Sequence, residues 1–543
     1  MTADEREKTW TSASGIPLQP FYRAADVPAE HRADADGAPG EGAFLRGAYP
    51  TGYRTKPWRI FQLSGFGKPE DENERIKMLL AHGETGFIME HDRNTADHMY
   101  DADHPEVVAR ARDVGLTGAV MQSVNDIAIC LDGIPLEATY GHAGGGVVQH
   151  APFALAGYWT VARRRGLDLS RLPGTGQSDF NLTYLGCPPK QQIPTGPGLR
   201  FNIDIVEFCA EHLPRWVPVS IAAYNAADSG INAYQELGAL FANAIEYLDE
   251  VQRRGKMEVA QAARGVGGVS FRLSMDLFEE ACKMRAARKM WSTLLRERYG
   301  INDPKVANLR IHCVTAGSRM TYQQPLNNIV RGTLMGLAGI LGGIQSLGVS
   351  GYDEALSIPS EHAHQMSVRI QQILQNETNL TAVADPLGGS HYAESLTAEL
   401  IERGRAFQEQ ILEQGGYLAC LDSGWLQARA AENQVAEFEA QDKGEQIVVG
   451  VNAFAEDISP HEIDGFMGVD DAYDIAIERV KGVRANRDGA RASAAMQALA
   501  AGCRGDDNVM PLMMEAMDAE VTLGEVGDVF RDAFGDWQSP IAM

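Results

Sequence analysis

From about residue 58 to residue 345 the chain alternates two patterns. Short apolar or β-branched runs are followed by long stretches with apolar positions every three to four residues. The runs are WRIFQLSGF (58–66), GFIMEHD (86–92), GAVMQSV (118–124), EATYGHA (137–143), GTGQSDF (174–180), VSIAAYN (219–225), GGVSFRL (267–273) and LRIHCVTA (309–316). Stretches such as NERIKMLLAHG, APFALAGYWTVARRRG, INAYQELGALFANAIEYLDEVQRRG and DLFEEACKMRAARKMWSTLLRERYG lie between them, several closing on glycine as helices do. Eight strand–helix units predict an α/β fold, a (βα)8 TIM barrel. The alternative is an open doubly wound sheet, but no GxGxxG follows a strand to mark a dinucleotide site.

Outside the barrel the pattern changes. The first ~45 residues are irregular, and ADADGAPGEGA reads as flexible. Beyond 360 the chain is helical: SEHAHQMSVRIQQILQNETN, SLTAELIERGRAFQEQILEQGG, then a short apolar run IVVGVNAF and a charged helix from DDAYDIAIERV onward. The methionines of VMPLMMEAM predict packing, in the core or at a subunit contact. The expected divisions are an N-terminal extension over 1–48, a barrel domain over 49–400 and a helical region over 401–543.

Composition narrows the classes. Of 543 residues 44% are hydrophobic and 22% charged, which excludes wholesale disorder. A net charge of −25 repels phosphate backbones and argues against nucleic-acid binding, while leaving room for a local basic patch. No apolar run approaches the ~18 residues that span a membrane, and MTADEREKTW has no secretory pattern. Seven scattered cysteines without a CxxC pair argue against a disulfide framework or zinc ribbon and suit a reducing cytoplasm.

Several phrases are more specific than barrel filler: YPTGYRTKPW, SGFG, DADHPE, DGIPLE, AYNAADSG, AARKMW, NNIVRGTL, GGIQSL, YDEALSIPSE, DPLGGSHY and VVGVN, in that order. Over about 45–455 this series resembles the large subunit of the adenosylcobalamin-dependent acyl-CoA mutases, the methylmalonyl-, isobutyryl- and 2-hydroxyisobutyryl-CoA mutases. The C-terminal helices look most like the hydroxyisobutyryl branch. The resemblance implies an isomerase whose cofactor supplies a radical while the protein binds substrate and excludes water. It also implies a barrel hollowed for pantetheine, which GHAGGG (141–146) and Gly265, Gly267 and Gly268 suit, although glycines also serve turns and bulges. The Asp-x-His-x-x-Gly motif of cobalamin domains is absent; DADHPEV and SPHEIDG hold their histidines in other contexts. A separate small cobalamin-binding subunit is therefore expected, with cobalt held there and no metal in this chain, in a heterotetramer of two large and two small subunits.

The resemblance also assigns residues. Gln177, at the end of the expected fifth strand, and Tyr224 match family catalytic positions, but the family histidine next to that tyrosine is Asn225. Asparagine donates a hydrogen bond without acting as an acid near neutral pH. Arg310 and His312 match an RxH phrase on the expected eighth strand, and Gln345, Ser350 and Glu354 match adenosyl-holding positions. Leu63 and Glu90 stand where the hydroxyacyl enzymes have an isoleucine and an aspartate that holds the substrate hydroxyl. Alternatively, Glu90 pairs with His91 or Arg93. The arginine that grips the methylmalonyl carboxylate falls on Cys187, so a dicarboxylic substrate is not expected. Tyr49, Thr51, Lys56 and Arg264 match contacts to the CoA nucleotide and phosphates, whereas Phe61 and Tyr140–Gly146 depart from the family pattern. Three readings stay open: a mutase acting on a branched or hydroxylated acyl-CoA, a mutase acting on a non-CoA acid or carrier-bound substrate, and a non-catalytic structural or regulatory paralogue.

Overall fold

A computed structural model describes residues 10–144, 146–186, 191–456, 466 and 468–540. Eight parallel strands form one sheet: β1 (Arg59–Ile60), β2 (Gly86–Ile88), β3 (Tyr140–His142), β4 (Gly174–Gln177), β5 (Trp216–Ala222), β6 (Gly268–Leu273), β7 (Arg310–Thr315) and β8 (Ser346–Gly348). Their order is β1-β8-β7-β6-β5-β4-β3-β2. The sheet curls until its two ends meet. There the Thr85 amide donates to the Ile60 carbonyl (3.0 Å) and the Ile60 amide donates to the Thr85 hydroxyl oxygen (3.1 Å). The architecture is a (βα)8 TIM barrel with a helical C-terminal region.

The count of eight holds, but one predicted member drops out and another strand takes its place. GAVMQSV is not a barrel strand. It lies past the end of β2, where the Ala119 amide donates to the Glu90 carbonyl (2.9 Å), and at Val124 it turns into a helix capped by Ser123. The apolar run Ala119–Met121 reads as strand, yet Ser123 and Asp126 already carried the helix-start signal. The missing strand is β8, too short and polar to stand out between the helix Asn327–Leu341 and the loop after it. Gln177 therefore ends the fourth strand and the RxH phrase lies on the seventh. VSIAAYN also ends early as strand, because Tyr224 and Asn225 open the helix Ala223–Asp228.

The predicted helices form: Pro69–Ala81, Ala151–Arg164, Ala233–Arg254 and Leu277–Tyr299 flank the barrel, and Glu361–Asn376 and His391–Glu413 follow it. The core lies between strands and helices. Trp216 of β5 packs on Tyr158 and Trp159 of the helix Ala151–Arg164, at ring-centroid distances of 5.2 and 5.7 Å. IVVGVNAF forms a turn with exposed Ile447 and Phe454. Met510, Met513, Met514 and Met517 are buried in the helix Val509–Asp518, which packs on the helices Ala151–Arg164 and Thr195–His212.

The segment expected to be flexible is held in place. Arg288 donates to the carbonyls of Phe44 (2.8 Å) and Leu45 (3.2 Å), burying both residues. His31 meets Glu394 at 2.9 Å, and the buried Arg285 bonds Glu394 (2.5 Å) and Asp385. The long connection between β2 and β3 is gripped from the C-terminal region. Arg484 pairs with Asp101 (2.5 Å) and Asp103 (2.7 Å), the Thr522 hydroxyl donates to Asp101 (2.6 Å), and Gln122 donates to the Ala476 carbonyl (3.1 Å). Among the described residues no helix is long and apolar enough to cross a membrane.

Gly174 shows how closely the barrel wall is packed. A Cβ there would lie 2.3 Å from the Trp216 ring and 2.5 Å from the Gly141 carbonyl oxygen, neither of which can retreat. Gly174→Ala is expected to cost about 1–3 kcal/mol by overpacking, read as a lower melting temperature, whereas Gly482→Ala, in a helix with nothing within 4 Å, lacks that clash.

Candidate active site

Alternation along the strands points every second residue inward: Arg59 and Phe61, Ile88 and Glu90, Tyr140 and His142, Thr175 and Gln177, Gly268 and Ser270, then Arg310, His312 and Val314. Bulky aliphatic residues usually fill a barrel in layers. Here a cavity of about 710 Å³ runs inside, lined at one end by residues preceding the strands and at the other by residues following them.

The entry end is basic and aromatic. Lys56, Arg59, Arg215 and Arg310 line it with Tyr49 and Tyr140. The Arg59 guanidinium lies 4.2 Å from the Tyr140 ring centroid, and Lys56 lies over Tyr49. Among the described residues none of these four cations pairs with a carboxylate. Burial holds the Arg310 guanidinium below its usual range, and the charges of Arg264 and Arg59 push the same way. This end presents uncompensated positive charge, the condition for binding an anion.

The opposite mouth mixes carboxyl, amide and hydroxyl groups, with Arg75 and Arg93 also on its lining. Gln177, Tyr224, Asn225, Leu63, Glu90, Ser350 and Glu354 all line the cavity there. Leu63 is 52% exposed, an apolar surface turned to the opening. Burial pushes Glu90 up to about 7; Arg93 pulls it back and Asp97 adds to the rise. Arg93 forms an ion pair with Asp97 (2.6 Å), while Glu90 faces the cavity. Burial likewise raises Glu354 to about 7, with Asp353 adding to it. Ser350 uses its hydroxyl to bond the Thr315 carbonyl (2.8 Å), joining the ends of β7 and β8.

The expected cofactor residues do not gather at one place. Ser350 and Glu354 are at the mouth, His312 is inside the barrel, and Arg310 and Gln345 are at the entry end. Gln345 is occupied with backbone, accepting from the Ile311 amide (2.8 Å) and donating to the Gly343 carbonyl (2.8 Å). Tyr49 and Lys56 line the entry, but Thr51 and Arg264 do not. Thr51 is exposed and bonds Thr55 (2.6 Å); Arg264 is exposed and lends its carbonyl to Arg310 (2.5 Å). Gly146 and Gly268 line the cavity, whereas Gly265 packs on Pro218 and Gly267 on Trp291. Gly145, Cys187 and SPHEIDG lie wholly or partly outside the described residues.

Three features escaped sequence reasoning. Phe61 sits at the centre of an aromatic group, 5.9 Å from Tyr140, 6.4 Å from His142 and 5.6 Å from His312. His364 fastens the residue beside the mouth: Arg75 donates to its Nδ1 (2.8 Å), so its Nε2–H donates to the Leu63 carbonyl (3.0 Å). Glu72 is fully buried behind Gly65 and Glu90, and burial followed by the charge of Glu90 holds it well above the usual carboxyl range. His142 escaped as well; inward alternation from Tyr140 is the one signal that could have found it.

Residues 11–536 match the family described as Methylmalonyl-CoA mutase. The 2-hydroxyisobutanoyl-CoA mutase large subunit of Aquincola tertiaricarbonis is 34% identical over 538 residues, 99% of this chain and 94% of that one. The methylmalonyl-CoA mutase of Cereibacter sphaeroides is 34% identical over 532 residues, 97% of this chain and 73% of that one. That of Escherichia coli K12 is 33% identical over 546 residues, covering 98% and 74%.

Glu90 keeps its proton more readily in the folded chain, at about 7 against 4.5. Its ionisation therefore leaves stability unaffected below the unfolded value, lowers it progressively as pH rises toward 7, and lowers it no further above that. Glu90→Gln is expected to gain about 1–3 kcal/mol on wild type between about pH 5 and pH 8. Melting temperatures of both proteins at the two pH values check this; a pH-independent difference contradicts it.

Proposed function

The chain belongs to the methylmalonyl-CoA mutase family, whose named members are isomerases, and we propose that it is the large, substrate-binding subunit of an adenosylcobalamin-dependent mutase. Its substrate on this reading is an acyl-CoA with a polar substituent beside the thioester, as in the 2-hydroxyisobutyryl enzymes. The observation that carries the reading is the cavity itself, with unpaired cations at one end and carboxyl, amide and apolar groups at the other. A CoA ester has the same polarity, with phosphates at one end, a slender amide arm and a small acyl group.

In this reading Lys56, Arg59, Arg215 and Arg310 meet the phosphates and nucleotide, with Gln345 holding the strand ends beside them. Thr175, Ser220, Ser270 and Ser346 offer hydroxyls along the arm. Gln177, Tyr224 and Asn225 surround the reacting thioester. Leu63 leaves room beside the reacting carbon, and Glu90 binds the polar substituent. A plain methyl branch leaves that buried carboxyl unmatched, which costs about 1–3 kcal/mol.

Adenosylcobalamin, when bound, supplies the radical that starts the rearrangement. The residues at the mouth suit its adenosyl group. The Glu354 carboxyl sits where a Cβ on Gly317 would approach its Oε1 to 2.9 Å, and it can accept from two ribose hydroxyls. The name of the Aquincola relative, a large subunit, supports a small partner subunit that carries the cobalt. In this reading the assembly contains two subunits of each kind, as the family resemblance of the sequence implies.

A second reading, a mutase for a smaller acid or another carrier, is favoured by one observation. Phe61, Tyr140, His142 and His312 crowd the route that a pantetheine arm would take.

Calorimetric titration with an acyl-CoA separates the two: binding supports the first, and no binding supports the second. Arg310→Ala is expected to weaken acyl-CoA binding about tenfold or more, with a smaller salt dependence. Glu90→Ala is expected to abolish an at least tenfold preference for hydroxylated over plain acyl-CoA, measured as the ratio of kcat/KM values with the small subunit and cofactor present. An unchanged ratio contradicts the role given to Glu90.

A further inference from the structure

Two imidazoles face the cavity from inside the barrel, His142 at the end of β3 and His312 on β7. They differ in what their partners dictate. His312 Nδ1 lies 2.9 Å from the Ser346 hydroxyl, which can donate or accept. His142 Nδ1 receives the Gly144 backbone N–H at 3.0 Å, and a backbone amide can only donate. The proton of neutral His142 is therefore on Nε2. Gly144 has φ +72°, a left-handed conformation that suits glycine, and its Cβ would fall 2.4 Å from the Met89 carbonyl oxygen. The sequence His-Ala-Gly thus fixes which ring nitrogen of His142 carries hydrogen.

Register gives the height of this donor. His142 is level with Ile88 of β2 and Thr175 of β4. Glu90 and Gln177 are each two residues nearer the mouth, a step of about 7 Å. An acyl group that engages Glu90 through its substituent brings its carbonyl oxygen down this step. Two hydrogen bonds of about 2.8 Å and the ~3 Å between the two substrate oxygens span such a step comfortably.

We propose that His142 Nε2–H is the hydrogen-bond donor to the substrate's thioester oxygen. This rests on the acyl-CoA reading of the cavity. As that group migrates, charge gathers on its oxygen, and a donor already oriented in a site with little water stabilises it. Burial lowers His142 to about 3, and the charge of His312 would add to that. The ring is therefore neutral across the working pH range and acts by hydrogen bonding, without transferring its proton. Asn225, on the helix after β5, is a second amide donor, while the barrel interior supplies the imidazole.

The test uses the full chain without cofactor, so that no turnover occurs, and a 2-hydroxyacyl-CoA labelled with ¹³C at the thioester carbonyl. Difference infrared spectra are expected to show the bound carbonyl stretch moved to lower frequency in wild type and in His142→Gln, which keeps an N–H donor. In His142→Phe, which keeps the ring and loses the donor, the stretch should return to its position in water-free solvent. The thioether analogue, which lacks the carbonyl oxygen, should bind wild type at least tenfold more weakly than the thioester, and His142→Phe should bind both alike. With small subunit and cofactor, kcat of His142→Phe should fall about 10²- to 10³-fold. Melting temperatures verify that the variant is folded. If His142→Phe binds acyl-CoA and leaves the carbonyl stretch and the thioester preference unchanged, the assignment to His142 is overturned while the acyl-CoA reading stands. If wild type binds no acyl-CoA, both fall.

Discussion

A barrel that keeps its axis open gives up the side-chain layers that would normally fill it, and much else in this molecule follows from that loss. Charged, polar, small and aromatic residues take most of the inward positions, with Ile88 and Val314 as exceptions, so the apolar core has to lie outside the strands. Trp216, Tyr158 and Trp159 concentrate it there, and Gly174 is the recess that lets the Trp216 ring reach the strand wall. Buried ionic contacts then attach the remaining chain to this outer layer. Arg285 between Asp385 and Glu394 is one, and the fully buried Lys283 between Glu236 and Glu280 is another. Charges this deep are tolerated because each is paired; removing one partner leaves the other stranded.

The open axis also separates two electrostatic environments. At the entry, among the described residues, Lys56, Arg59, Arg215 and Arg310 stand without acidic partners. At the mouth, the half-buried carboxyls of Glu90 and Glu354 hold their protons to near neutrality, so both change between acceptor-only and donor–acceptor groups near pH 7. Polar groups in both places lack full partners in the protein, which is costly in a structural core and ordinary in a binding site.

Much of this was legible in the sequence, for identifiable reasons. Barrel strands and their helices differ in period, so the βα rhythm was visible. Gln177, Tyr224, Asn225, Leu63, Glu90 and Glu354 were picked out by family likeness, and they share one mouth because each sits at or beyond the C-terminal end of a strand. Errors arose where local pattern and tertiary role diverge. GAVMQSV reads as a strand because its apolar run pairs by backbone hydrogen bonds with the loop beyond β2, and the true eighth strand is three residues long with a serine facing inward. Arg310 and Gln345 were grouped with Glu354 by family likeness, which carries no information about height along the axis; only the register of β7 and β8 separates them. His142 was passed over because its meaning depends on which atom its neighbour's amide points at, and no composition or spacing rule records that.

The grip of the C-terminal helices on the connection between β2 and β3 has a wider consequence. That connection pairs with the backbone of Glu90 through Ala119, and it is anchored in turn by Arg484, Thr522 and Ala476. The mouth proposed to hold the acyl group is therefore adjusted from a part of the chain that lines none of it. Substitutions among residues 472–534 can move Glu90 by fractions of an ångström while the reacting groups keep their identities. In an evolving lineage this region is the place where substrate range can drift first, ahead of any change in the residues that touch the substrate.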